Sequence, residues 1–148
     1  MRTLETVVVE SPLFAGLAPA HAELIAGCAT NVHFRTGEFL FREGGPADTF
    51  YLLRHGRVVL ETYMPSRGSF AIETLEEGDV VGWAWLFEPY RWHFDARALD
   101  DVGAVAFDGA CLRGKCADDH ELGYELLNRF AQVLVDRLQS TRLRLLDV

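Results

Sequence analysis

Six aromatic side chains, Trp83, Trp85, Phe87, Tyr90, Trp92 and Phe94, fall within twelve residues, with Arg91 among them and Arg97 just beyond. Rings at this density can fill a core, wall a pocket for a flat ligand, or anchor a protein partner at the surface. An arginine beside them adds anion recognition if strand alternation turns it inward. Other reactive side chains are scattered. Cys111, Cys116 and His120 match no common zinc spacing and lack an evident fourth ligand, so core or surface roles are expected. His33, His55 and His93 lie on different candidate strands or turns, and no serine or cysteine nucleophile occupies a recognisable motif to join them. The acidic pairs Glu76 with Glu77 and Asp100 with Asp101 flank turn residues and read as solvated charge. The expected chemistry is binding; no catalytic or metal-ligating residue is assigned.

Something must position the aromatic run, and the flanking texture says what. The 148 residues suit one compact domain with a sizeable core, and 49% hydrophobic with 24% charged side chains is a globular composition. The run lies inside a stretch of short apolar segments punctuated by Gly37, Gly44, Gly45, Gly56, Gly68 and Gly78, which predicts a sandwich or roll over residues 31–108. "DARAL" and "GAVAFD" close it as a further strand pair. Residues 1–30 read as a helical lead-in, with Pro19 starting a turn that carries Leu24, Ile25 and Cys28 on one face. Residues 109–148 read as C-terminal helices: a short one around Ala110 to Cys116, then a long one capped by Asp118 or Asp119.

The long helix has two apolar faces. Tyr124, Leu127, Ala131, Leu134, Leu138, Thr141, Leu145 and Val148 alternate spacings of three and four, the seam of a helix laid along a partner, while Leu126, Phe130 and Val133 form a second face. One face packing on the roll and the other on a second copy predicts a homodimer. A net charge of −8 disfavours nucleic acid. No run of about 18 apolar residues occurs, so no membrane span is expected and the expected location is the cytoplasm. Three cysteines, Cys28, Cys111 and Cys116, are an odd number, and reduced thiols are expected. Lys115 is the sole lysine, a bias suggesting a GC-rich bacterial genome.

"FAGL", "FRTGEFLFREGGPADTFYLLRHGRVVL", "LEEGDVVG" and "RLQSTRL" occur in an order and spacing that resembles the cyclic nucleotide-binding domain of the catabolite activator (Crp/Fnr) superfamily. The resemblance implies a mainly β fold with flanking α, a double-stranded β-helix (a jelly-roll-like β-roll) with N-terminal helices and a long C-terminal dimerisation helix. It also implies an effector pocket beneath that helix. In ligand-binding members a turn glutamate accepts from the ribose hydroxyl, and an arginine with backbone amides holds the cyclic phosphate. Here the run reads "VGWAWLFEPYRWHFDARAL": Gly82 is kept, Trp83 stands in place of the glutamate, and Trp92 or His93 stands in place of the arginine. Thr141 aligns with a hydroxyl that contacts the adenine.

The candidate effector residues are therefore Gly82, Trp83, Ala84, Trp85, Arg91, Trp92, His93, Arg97 and Thr141. A buried phosphate forfeits about 2–3 kcal/mol per missing charge-assisted contact, so ordinary cyclic AMP binding is expected to be weak or absent. No cofactor is assigned beyond a cyclic nucleotide or another small effector. The expected function is a non-catalytic sensor domain with a divergent phosphate-binding turn, taking a non-standard effector or a protein partner. The alternative is the ligand-sensing part of a Crp/Fnr-type transcription regulator; the resemblance places a winged helix-turn-helix after the long helix in such regulators, and none is present through Val148.

Overall fold

The computed structural model describes residues 3–146, with side chains described through Leu143. Two helices, α1 (Leu4–Glu10) and α2 (Pro19–Ala26), lead into eight strands. These are β1 (Ala29–Phe34), β2 (Phe39–Phe41), β3 (Thr49–His55), β4 (Val58–Met64), β5 (Gly68–Leu75), β6 (Val80–Val81), β7 (Asp95–Ala98) and β8 (Val102–Asp108), with a 3₁₀ turn over Ala84–Leu86 between β6 and β7. Helices α3 (Gly109–Asp118) and α4 (His120–Leu146) follow. No helix among the described residues is long and apolar enough to cross a membrane.

The strands form two antiparallel four-stranded sheets ordered β1-β8-β3-β6 and β2-β7-β4-β5, the β-roll expected from the sequence. "DARAL" and "GAVAFD" do not pair with each other. β7 joins β2 and β4 in one sheet, whereas β8 joins β1 and β3 in the other, because the chain crosses between sheets at Leu99–Asp101. That crossing is held by Asp100, which accepts from the Arg57 backbone N–H at 2.6 Å and from its Nε at 3.0 Å. Asp100 is thus a corner fastener as well as a solvated charge, and Arg57 holds its carboxyl below the usual carboxylate range. Gly56 is required beside it: with φ +86, any Cβ there would lie 2.3 Å from the Asp101 carbonyl oxygen.

Two cores result. Between the sheets lie Leu53, Leu60, Val81, Trp92, Ala96 and Ala104 among others. The outer face of the β1-β8-β3-β6 sheet carries Phe50, Val105 and Phe107 against the helices. There α4 contributes Leu122, Leu126 and Phe130, all at most 1% exposed, with Val133 at the margin. This is the second apolar face of the long helix, and the helix begins where the sequence caps it: Asp119 Oδ1 accepts from Leu122 N–H at 3.1 Å. Asp108 caps α3 in the same way through Cys111 N–H. The seam residues Tyr124, Leu127, Ala131 and Leu138 are exposed, Leu134 and Thr141 are half-buried, and Leu145 and Val148 lie outside the described side chains.

Two expectations for the lead-in and the thiols change. α2 ends at Ala26, so Cys28 sits beyond it at the threshold of β1, and α2 buries His21, Ala22 and Ile25. Cys28 and Cys111 are joined in a disulfide, leaving Cys116 as the free thiol. Eighty-three residues separate the pair in sequence, and the β1–β8 pairing, with Asp108 N–H on the Cys28 carbonyl, together with the first turn of α3 brings their Cα atoms to 5.9 Å.

Candidate effector site and its aromatic filling

The turn that follows β6 is set by Gly82, whose φ of +100 lies in the left-handed region. A Cβ at this position would sit 2.6 Å from the Trp92 ring, so the backbone and the indole occupy one another's only available space. Beyond the loop, alternation turns Trp92 and Phe94 to the core and leaves His93 exposed. Trp92 lies flat on Phe41, with centroids 3.7 Å apart and planes 8° from parallel. Its backbone is bound on both sides: Gly44 N–H donates to its carbonyl at 2.8 Å and its own N–H donates to Gly45 at 3.1 Å. The glycines of "FREGG" therefore hold the tryptophan in place.

Trp83 is half-buried and bridges the two cores, edge-on to Phe94 at 5.3 Å. The guanidinium of Arg137 on α4 lies over its ring, 5.5 Å from the centroid. Arg137 also donates to the Val80 carbonyl and faces Glu73 at 4.0 Å. Burial pushes its pKa below the usual guanidinium value, opposed by the charges of Glu73 and Asp79. Ala84 is buried in the inter-sheet core, whereas Trp85 goes to the other core, stacked on Phe50 and edge-on to Phe130.

The remaining candidates are dispersed. Arg91 is exposed at a bridge to Pro46. Arg97 alternates outward between buried Ala96 and Ala98, and its Nε and Nη2 donate to the two carboxylate oxygens of Glu61 at 2.8 and 3.2 Å. Thr141 donates back to the Arg137 carbonyl on its own helix at 2.9 Å. The structure thus gathers Gly82, Trp83, Ala84 and Trp92 around one aromatic cluster and leaves Trp85, Arg91, His93, Arg97 and Thr141 outside it.

A cleft of about 510 Å³ opens instead between α4 and the β5–β6 corner, bounded by Glu73, Asp79, Arg129, Gln132, Asp136 and Arg137 among others, and by none of the nine candidates. Arg129 Nε and Arg137 Nη1 are buried without a hydrogen-bond acceptor among the described residues. Sequence reasoning missed this wall, although Arg129, Gln132 and Asp136 recur at spacings of three and four on one side of α4, with Arg137 next to Asp136. No group of three or more His, Cys, Asp or Glu side chains that could hold a metal occurs among the described residues. His33 and His55 do approach, at 6.5 Å between rings, across Gly103.

Replacing Gly82 by alanine tests the interlock. Forcing the left-handed backbone on alanine costs about 1–3 kcal/mol, and displacing the indole adds a similar amount. Gly82→Ala is expected to lower the denaturant midpoint with the m-value unchanged; an unaltered midpoint would show that Trp92 is free to move aside.

Residues 31–119 match the family model for the cyclic nucleotide-binding domain. The chain belongs to this family. The domain is 26% identical over 145 residues to a CRP-like cAMP-activated global transcriptional regulator of Mycobacterium tuberculosis, covering 98% of this chain and 63% of that protein. It therefore spans less than two thirds of that relative's length. It is 32% identical over 101 residues, 68% of this chain and 24% of the relative, to a cAMP-dependent protein kinase regulatory subunit of Emericella nidulans. Among solved structures, a candidate cyclic nucleotide-binding protein of Geobacter metallireducens superposes with a TM-score of 0.82 at 30% identity, covering 93% of this chain and 99% of that one. The two named relatives are regulators by name.

Proposed function

We propose that this chain is a single, non-catalytic, cytoplasmic regulatory domain in which aromatic side chains have taken the space of the nucleotide. Trp92 would fill the phosphate position and Trp83 the ribose position, so the domain answers to a non-standard effector or a protein partner rather than to a common cyclic nucleotide. The observation that carries this is Trp92, stacked flat on Phe41 and wedged against Gly82. A phosphate would have to displace an indole and then find no arginine in its place, since Arg97 is engaged by Glu61 on the outer surface.

The cleft under α4 is the space left for a small effector. Its acidic groups, Glu73, Asp79 and Asp136, share the cleft with Arg129, whose Nε lies 3.6 Å from the Glu125 carboxylate, and with Arg137, whose Nη1 is buried without an acceptor among the described residues; that pattern suits a polar ligand carrying both a cationic and an anionic group. A second copy is the proposed partner of the exposed seam on α4.

Titration calorimetry with cyclic AMP and cyclic GMP is expected to give no binding in the micromolar range. A dissociation constant of micromolar or tighter for either would overturn this reading. It would favour the alternative, the cyclic-nucleotide-sensing part of a Crp/Fnr-type transcription regulator, which the name and greater length of the mycobacterial relative support.

A further inference from the structure

We propose that the Cys28–Cys111 bond is a reversible thiol–disulfide exchange site that clamps the α2–β1 junction to α3, its reactant being a small thiol/disulfide couple. The two residues differ in exposure. Cys28 is 7% exposed, Cys111 is only half-buried, and a cleft of about 380 Å³ bounded by Gly27, Thr30, Asp48 and Asp108 opens onto both residues. On this geometry the more exposed residue, Cys111, is the one an incoming thiolate attacks.

The exchange balances without further reagents. The thiolate bonds to Cys111 Sγ, the Cys28–Cys111 bond breaks, and Cys28 leaves as a thiolate that takes a proton. A second thiol then displaces Cys111 from the mixed disulfide. The protein cystine is reduced to two thiols, and two reductant thiols are oxidised to one disulfide. Oxidation retraces the path, with Cys111 attacking the oxidised couple and Cys28 closing the bond.

The surroundings let the bond open without dismantling the sheet. Asp108 N–H donates to the Cys28 carbonyl at 2.9 Å, and Ala29 stays in register with Phe107, so β1 and β8 remain paired whatever the sulfurs do. Beyond that backbone ladder, the α2–α3 junction is tied by Lys115, whose Nζ donates to the Leu24 carbonyl at 2.6 Å. α3 runs directly into the Asp119 cap of α4, so the clamp stands at the base of the long helix. This inference is independent of which effector or partner the domain takes.

The test incubates the native protein in reduced glutathione, then in oxidised glutathione, and maps alkylated cysteines by mass spectrometry beside far-UV circular dichroism and thermal melting. Reduction is expected to add labels at Cys28 and Cys111 with the circular dichroism unchanged. Releasing an 83-residue loop should lower the thermal midpoint by roughly 10–20 °C, and oxidised glutathione should restore it. Cys116→Ser should respond like the unmodified protein, and the Cys28→Ser/Cys111→Ser double variant should melt at the lower midpoint in either buffer. The proposal fails if the two cysteines label only after denaturant is added, since the bond is then a permanent staple. It fails equally if they label freely in oxidised glutathione, if reduction unfolds the sheets, or if the midpoint does not move.

Discussion

Trp85→Ala is expected to destabilise the domain by about 3–5 kcal/mol, the range for truncating a fully buried large aromatic. Trp85 is wholly excluded from solvent and stands in the middle of a ring assembly that joins three layers. It stacks on Phe50 at 4.8 Å, Phe50 stacks on Phe107 of the central strand at 4.6 Å, and Phe130 of α4 meets both Trp85 and Phe50 edge-on at 5.3 and 5.0 Å. Removing the indole leaves a cavity bounded by rigid rings and strands, which cannot collapse to fill it. Trp85→Phe separates volume from polarity. The indole N–H is buried with no acceptor among the described residues, so phenylalanine loses some packing but also removes an unpaired donor, and a change within about 1 kcal/mol is expected. Equilibrium unfolding by circular dichroism distinguishes the two variants. A cost below about 1 kcal/mol for Trp85→Ala would mean that α4 is not anchored through this stack.

Leu138→Asp is expected to convert a dimer into monomers in size-exclusion chromatography with light scattering. Leu138 is 62% exposed in the single chain, as are Tyr124 at 69% and Leu127 at 48%, each on the seam of α4 that faces away from the sheet. A charge at an exposed position changes the stability of a lone subunit by no more than about 0.5 kcal/mol. Placed in a seam between two copies, the same carboxylate loses its water without a partner, and association is lost by orders of magnitude. The melting of the variant at low protein concentration should match that of the unmodified chain, which separates dissociation from unfolding. Persistence of the dimer would remove this face from the contact.

Much of the architecture was legible because it depends on local rules. Glycine spacing marked the turns of the roll, Asp119 was one of the two aspartates expected to cap the long helix, and the three-four spacing of Leu126, Phe130 and Val133 identified the face of α4 that packs on the sheet. The aromatic run was also visible as a run. Its division was not. Trp85 and Trp92 are seven residues apart and enter different cores, because the 3₁₀ turn at Ala84–Leu86 sends Ala84 inward between the sheets and Trp85 toward the helices, while the approach to β7 turns Trp92 to the sheet interior. Arg97 looked available to an anion, but Glu61, diagonal to it on the neighbouring strand where Arg97 pairs with Val59, holds its guanidinium.

What the sequence by itself determined is that the turn after Gly82 lacks the glutamate and arginine of the family pattern and carries tryptophans instead. Side-chain identity needs no coordinates. Whether those rings leave a hollow or close it, and whether three cysteines are all thiols or include a bridge, was decided only in three dimensions. Phe41 and Trp92 are separated by 51 residues, Cys28 and Cys111 by 83, and each pair meets through docking of whole elements. Contacts of that range carry no local signature, since any chain that satisfies the same turns and caps leaves them undetermined until the sheets and helices close on one another.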